Sequence, residues 1–159
     1  ETVHTWFECK IRYEKVMENG MQKKVTEPYL VDALSFTEAE ARIIEEMTPF
    51  ISGEFTVSDI KRANYSELFP SDEESADRWF KCKLIFITLD EKSGAEKKTS
   101  TQVLVQAADL RDAVKKLDEG MKGTMADYQI GMVSETPLMD VYPYSAEPND
   151  KPEFDPSKA

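Results

Sequence analysis

Hydrophobic and polar side chains alternate along two stretches of the chain that begin with nearly the same residues. Apolar side chains occupy every second position from residue 6 to 16, and the alternation returns from residue 79. A period of two residues is typical of a strand with one buried face. We therefore predict a strand in each stretch. The residues predicted to face a core are Phe7, Cys9, Ile11 and Tyr13 in the first strand and Phe80, Cys82, Leu84 and Phe86 in the second.

These two strands open an internal repeat. Residues 6–10 (WFECK) return as 79–83 (WFKCK), and they contain the only two Trp and the only two Cys of the chain. A return strand, a helix and shorter strands follow in both copies. We predict an α+β fold of two tandem ββαβ repeats with pseudo-twofold symmetry, each an antiparallel sheet carrying one helix. The sequence leaves open whether the repeats share one continuous sheet or form two facing sheets.

Capping signals mark the start of one helix in each repeat. Ser35 and Glu38 form a capping box, in which the hydroxyl and the carboxylate each accept a hydrogen bond from a free backbone N–H. Asp109 and Asp112 occupy the same places in the second repeat. Apolar residues then recur at the helical period, so we predict helices that begin at these caps and run to about residues 47 and 120.

Two strand irregularities are expected in the first repeat. Pro28 lacks a backbone donor, which predicts that its strand lies at a sheet edge or bulges there. The strand that starts at Phe55 loses its alternation before Ile60, which indicates a bulge. Short pieces at residues 65–69 and 138–142 match each other and are expected to end the two copies.

Changes in composition suggest the domain boundaries. We assign residues 1–69 to the first repeat, 70–77 to an acidic linker and 78–142 to the second repeat. Residues 143–159 hold four of the eight Pro and more acids than bases, so we expect a largely disordered tail. The two repeats are expected to pack as one compact body.

The overall charge hides two basic regions. The net charge of the 159 residues is -11, but residues 6–26 carry five bases and three acids, and residues 78–98 carry six bases and three acids. A generally basic nucleic-acid coat protein is therefore excluded, whereas a local basic surface is not. The apolar runs are far too short to span a membrane, and no secretory leader is evident, so we expect a cytoplasmic protein without membrane contact.

The residues that usually carry catalysis are poorly placed. His4 is the only histidine, and Cys9 and Cys82 are predicted to be buried, reduced thiols. The six Gly form no phosphate-binding loop, and the many acids show no informative spacing. We therefore expect no enzymatic activity, no metal and no cofactor.

The opening of the repeats and the ending at residues 140–144 (DVYPY) together are similar to a known family. They resemble an uncharacterised family of small proteins from Bacteroidetes and their phages and mobile elements, described as a domain of unknown function. The resemblance covers roughly residues 5–144 and implies a soluble cytoplasmic setting. It transfers no catalytic residue and no ligand, and its phage connection favours work alongside nucleic acid.

A surface is the remaining candidate for function. Side chains of the predicted strands that do not face the core combine Trp with bases, an arrangement on which single-stranded nucleic acid can stack. The candidate binding residues are Trp6, Lys10, Arg12, Lys23, Lys24, Trp79, Lys81, Lys83, Lys97 and Lys98. Burial of each Trp against a helix or the other repeat is the structural alternative.

Two functions are therefore open. The first is a non-catalytic binding module associated with single-stranded nucleic acid. The second is a protein-interaction or assembly adaptor, in which Ile85, Ile87 and Leu89 contact a partner and the charge only maintains solubility. The identity of the partner and the oligomeric state are left open by the sequence.

Overall fold

Two four-stranded sheets, each carrying one helix, form the part of the chain that is described, residues 5–143 of a computed structural model. The elements of the first copy are β1 (Thr5–Val16), β2 (Gln22–Ala33), α1 (Phe36–Met47), β3 (Phe55–Ala63) and β4 (Glu67–Phe69). Those of the second copy are β5 (Arg78–Leu89), β6 (Glu96–Ala107), α2 (Leu110–Gly120), β7 (Tyr128–Glu135) and β8 (Asp140–Tyr142). The predicted α+β class is confirmed, and the sheets are separate.

Each sheet has its own core. Sheet 1 has the strand order β3-β1-β2-β8, and sheet 2 has the order β4-β6-β5-β7. Helix α1 covers one face of sheet 1, where Phe7, Cys9, Ile11 and Ile43 are completely buried. Helix α2 covers the corresponding face of sheet 2. The residues predicted to face a core do so in both copies.

The helix caps form as predicted. The Ser35 hydroxyl accepts from the Glu38 N–H at 3.1 Å, and the Asp109 carboxylate accepts from the Asp112 N–H at 2.8 Å. The carboxylates of Glu38 and Asp112 accept from the backbone N–H of the residue preceding each cap. Both helices therefore begin with two backbone donors satisfied by side chains.

The predicted bulge is present and occurs in both copies. The pairing of β1 with β3 shifts between Lys10 and Ile11, which leaves Ser58 as the extra residue. The pairing of β5 with β7 shifts between Lys83 and Leu84, which leaves Gly131 as the extra residue. A Cβ at Gly131 would lie 2.9 Å from the Ile85 side chain, so the second bulge has room only for glycine unless Ile85 moves.

The expectation for Pro28 is met in part. Strand β2 is internal only at Tyr29–Val31, where it pairs with β8, whereas residues 22–28 lie along the edge of the described sheet, and the register with β1 has no shift at Pro28. The Pro28 carbonyl accepts a hydrogen bond from the Met139 N–H at 2.9 Å. The backbone carbonyl of Pro28 therefore points away from β1. Pro28 lies just before the β8 pairing begins, and the missing N–H therefore costs no ladder bond.

The fourth strand of each sheet comes from the other sequence repeat. Strand β4 runs parallel to β6 in sheet 2, with Leu68 opposite Leu104. Strand β8 runs parallel to β2 in sheet 1, with Val141 opposite Leu30. The chain accordingly divides into two compact units, unit 1 with residues up to 63 and from 138, and unit 2 with residues 64–137. Both sheets are mixed rather than purely antiparallel.

The acidic segment at residues 70–77 is attached to unit 2 by Lys116 of α2. The Lys116 Nζ donates to Ser71 at 3.2 Å, to Glu73 at 3.0 Å and to Asp112 at 2.9 Å. A segment that its composition marked as a solvated linker thus has side-chain partners on the helix. That the repeats pack as one body stays a prediction, and the expected tail lies outside the described residues except for Pro143.

Neither α1 nor α2, the helices of residues 5–143, is long and apolar enough to cross a membrane.

Candidate interaction surface

The face of each sheet that points away from its helix carries most of the candidate binding residues. We call these faces outer face 1 and outer face 2. Alternation places the even-numbered residues of β1 and β2 on outer face 1, since their odd-numbered neighbours contact α1. In unit 2 the odd-numbered residues of β5 and the even-numbered residues of β6 form outer face 2.

Outer face 1 has opposite charges in register. Glu8 lies opposite Lys61 on β3, and Lys10 lies opposite Asp59. On the other side of β1, Glu14 lies opposite Lys24. Directly opposed side chains have Cβ atoms about 5 Å apart, so Lys10, Lys24 and Lys61 each have an acid within reach. This face therefore presents little net positive charge to a ligand.

Outer face 2 has lysines without acids opposite them. Lys81 lies opposite Ser134, and Lys83 lies opposite Met132. Lys98 lies opposite Ile87 across β5 and β6. Lys83 and Lys98 match Lys10 and Lys24, which face acids in unit 1, whereas Lys81 takes the place of Glu8.

Apolar side chains lie beside these lysines. Ile85 and Ile87 are half-buried, and Leu89 at the end of β5 is 68% exposed. Met132 on the edge strand β7 is 42% exposed. Apolar area that remains open on a sheet face is what a partner can cover with a gain in free energy.

The tryptophans do not form a matched stacking platform. Trp79 is 5% exposed, and Trp6 is half-buried between Asp32 of β2 and Ala63 of β3. At the same end of the sheets, Leu30 and Leu104 are completely buried although they lie on the outer faces. A base cannot stack on an indole that exposes so little area, so Trp79 is not a stacking surface.

The other candidate residues are divided between two faces. Lys23 and Lys97 lie on the helix-bearing faces. Each directly precedes a lysine of an outer face, Lys24 or Lys98, and successive residues of a strand point to opposite faces. Arg12 is exposed on outer face 1 between Thr26 and Thr56. The ten candidates are therefore brought together only in part. Lys81 and Lys83 are neighbours on outer face 2, and Lys98 lies further along the same face, opposite Ile87.

Sequence reasoning missed Met132 as part of this surface. The repeat offset matches Met132 to Asp59 of unit 1, and this replacement removes the acid that faces Lys10 in the first copy. Strand β7 runs from Tyr128 to Glu135 and therefore includes Met132. The substitution of an acid by an apolar residue was the signal available in the sequence.

The two thiols are buried, as predicted, and their burial lowers their reactivity. Burial raises the pKa of Cys9 to about 12 and that of Cys82 to about 11. Both cysteines are free and buried. They therefore remain protonated near neutral pH, where a thiol is a weak nucleophile and a weak metal ligand. Within residues 5–143, no group of three or more His, Cys, Asp and Glu side chains is arranged to hold a metal ion.

The comparison with protein families identifies the class of the chain. Residues 5–144 match the family described as Domain of unknown function (DUF4494). The match spans both copies and both sheets, and the chain belongs to this family. A comparison with curated proteins gave no match.

Proposed function

We propose that this protein is a non-catalytic binding module that docks a protein segment on outer face 2. The segment would carry acidic and apolar side chains, because the surface offers Lys83 next to Ile85 on the same face of β5, and Lys98 opposite Ile87. One observation carries the proposal: the lysines of outer face 2 lack the opposing acids of outer face 1, while apolar area next to them is exposed.

This surface fits a protein partner better than a nucleic acid. Single-stranded nucleic acid needs exposed aromatic rings in addition to positive charge, and Trp79 is 5% exposed. A protein interface instead combines an apolar centre with a polar or charged rim. Lys81, Lys83 and Lys98 supply such a rim, and they would also speed encounter with an acidic partner.

Single-stranded nucleic acid remains the second candidate because, among the described residues of β5, β6 and β7 on outer face 2, the three lysines share the face with a single acid, Glu96. Such a group of bases can hold phosphates, at an affinity that falls as salt rises. The predicted origin of the family in Bacteroidetes and their phages stays a prediction. It favours the nucleic-acid candidate. The expected cytoplasmic location also stays a prediction.

Site-specific photo-crosslinking tests the first candidate with a control inside the same chain. A photoreactive amino acid replaces Leu89 in one variant and Val16 in the other. The two residues occupy matching strand ends and are 68% and 65% exposed. We expect a protein adduct in cells from position 89 and none from position 16. We also expect Lys83→Glu to reduce the adduct about tenfold.

The competing outcomes are distinct. Equal amounts of adduct from positions 89 and 16 would indicate random collisions instead of specific binding, and would contradict the proposal. Binding of a fluorescent single-stranded oligonucleotide at low salt, lost in the Lys83→Ala, Lys98→Ala double variant, would favour the second candidate instead. These lysines are used rather than Trp79 because Trp79→Ala would also disturb a buried region.

A further inference from the structure

A tyrosine cluster distinguishes unit 1 from unit 2 on the helix-bearing side of sheet 1. Tyr13, Tyr29 and Tyr142 come from β1, β2 and β8, and they line a cleft of about 250 Å³. The rings of Tyr29 and Tyr142 stack with their centroids 6.2 Å apart and their planes at 21°. The other lining residues are Met47, Phe50, Ile51, Met139 and Asp140.

The tyrosine hydroxyls are held by a carboxylate. The hydroxyl of Tyr13 donates to Glu27 Oε1 at 2.8 Å, and that of Tyr29 donates to the same oxygen at 3.4 Å. The other oxygen, Oε2, accepts from Lys15 Nζ at 3.3 Å. Because Glu27 is satisfied in this way, two rings are fixed in position before any ligand enters.

The charge around the cleft is negative. Asp140 lines it, and Glu46 lies close enough to Tyr142 to affect its ionisation. Burial, followed by these two carboxylates, raises the pKa of Tyr142 to about 12. Burial and the hydrogen bond to Glu27 raise the pKa of Tyr13 to about 12. The phenols therefore stay neutral, and the added negative charge comes from carboxylates.

The fold does not require this cluster. In unit 2 the repeat replaces the three tyrosines by Phe86, Val103 and Phe69, and it replaces Glu27 by Thr101. Those residues lie at matching places in a sheet of the same topology, so packing alone can be achieved without hydroxyls or a carboxylate. Phe50, which is 75% exposed at the rim of the cleft, has Thr124 as its counterpart.

We propose that the cleft formed by Tyr13, Tyr29, Tyr142 and Phe50 binds a substituted ammonium group, such as a trimethylammonium cation. Aromatic faces attract cations through the ring quadrupole, and a desolvated site strengthens this attraction. Asp140 adds a carboxylate at the edge of the cleft, and the volume suits a small group rather than a whole drug-sized molecule. The site lies in unit 1 and is independent of the function proposed for outer face 2.

Choline tests the chemistry against its neutral carbon isostere, in which a tert-butyl group replaces the trimethylammonium group. Binding to the full chain is followed by NMR of the methionine methyl groups. We expect choline to shift the signals of Met47 and Met139 with a dissociation constant of roughly millimolar order. The signal of Met132, on unit 2, serves as the internal control and should not move. The isostere should bind at least about fivefold more weakly.

Two variants test the assignment without endangering the fold. Phe50→Ala removes a ring that is 75% exposed, and it should weaken choline binding about fivefold while leaving the thermal midpoint unchanged. Asp140→Asn should weaken choline binding and leave the affinity of the isostere unchanged. Equal binding of choline and the isostere, or no shift of Met47 and Met139 at saturating choline, would overturn the proposal.

The source of the ammonium group is distinguished by a further comparison. A peptide containing trimethyl-lysine is titrated beside choline and beside the same peptide with unmodified lysine. Tighter binding of the methylated peptide than of choline would identify a modified protein as the source. Equal affinities would identify a free small cation. Binding of the unmodified peptide alone would overturn the assignment of a substituted ammonium group.

Discussion

The two copies share a scaffold and differ at two surfaces. Strand registers, caps and the bulge recur in both, including Ser58 and Gly131 as the extra residues. On the outer faces, charge pairs in unit 1 become lysines beside apolar groups in unit 2. On the helix-bearing faces, hydroxyls and a carboxylate in unit 1 become Phe, Val and Thr in unit 2. Because either set is compatible with the same strand pairing, the fold does not require the differences.

The largest effect is expected where the copies are most alike. Leu30 and Leu104 are completely buried at matching positions, opposite Val141 and Leu68 respectively. Leu→Ala at either position should lower the free energy of unfolding by about 2–5 kcal/mol, because it leaves a cavity beside the fourth strand. Urea denaturation followed by circular dichroism measures both losses. A loss below 1 kcal/mol at only one of the two leucines would show that the two positions are not structurally equivalent.

A smaller effect is expected at Gly120. In unit 2 the backbone of the helix lies close to an aromatic ring at this position, and the copies differ here. A Cβ at Gly120 would lie 2.8 Å from the Phe69 ring, whereas the matching position in unit 1 is Glu46. Gly120→Ala should be destabilising by about 1 kcal/mol, because a clash of about 2 kcal/mol outweighs the gain in helix propensity. Phe69→Leu in the same background should restore part of the loss in thermal unfolding. A stabilised Gly120→Ala variant would show that Phe69 moves freely.

The tyrosine cluster predicts a difference at high pH. The pKa of Tyr13 and that of Tyr142 are each raised to about 12, so the folded state holds these protons more tightly than the unfolded state. This contribution to stability is complete below pH about 10 and is lost as pH rises towards 12. The Tyr13→Phe, Tyr142→Phe variant should lose less stability over that interval.

The check is an alkaline titration of phenolate absorbance, with the unfolding midpoint measured at each pH. Wild type should show phenolate formation delayed beyond that of free tyrosine. The double variant should keep a smaller delayed step, because burial and Glu27 still raise the pKa of Tyr29. An unchanged titration curve in the variant would contradict the role of burial and carboxylates in the cluster.

The smallest effect is expected at the acidic end of the pH scale, at Asp112 of unit 2. Hydrogen bonds from the Ala108 N–H and from Lys116 lower the pKa of Asp112 below its usual value. The stabilisation is therefore present above pH about 4 and is lost as pH falls through the lowered pKa. Asp112→Asn should flatten this acid dependence in thermal unfolding. An unchanged acid dependence in Asp112→Asn would contradict this role of Asp112.

Much of the fold could be predicted because its signals are local. The alternation from Phe7 to Tyr13 gives the buried face of β1, and the cap at Ser35 gives the start of α1 to within one residue. The loss of phase before Ile60 locates the bulge. Each of these features depends on residues that are only a few positions apart in the sequence. Over that distance the geometry of a helix or a strand directly determines which positions are buried.

The candidate surface could be predicted only in part. Lys81 and Lys83 were placed on the correct face by alternation, but Trp79 follows the same alternation and is nevertheless buried. The charge balance of the two outer faces depends on Lys61, Asp59 and their counterparts on β7, which are distant in sequence. Register between strands, rather than the strands' own patterns, decides which charges are compensated.

The sequence by itself determined the duplicated unit, its elements and the face that each strand buries. The tertiary structure decided which sheet receives each fourth strand, with β4 in sheet 2 and β8 in sheet 1. The physical reason lies in the duplication. Leu68 and Val141 occupy matching three-residue strands, and Leu30 and Leu104 are equivalent partners, so both pairings satisfy the same local pattern. Only the path of the chain in space distinguishes them.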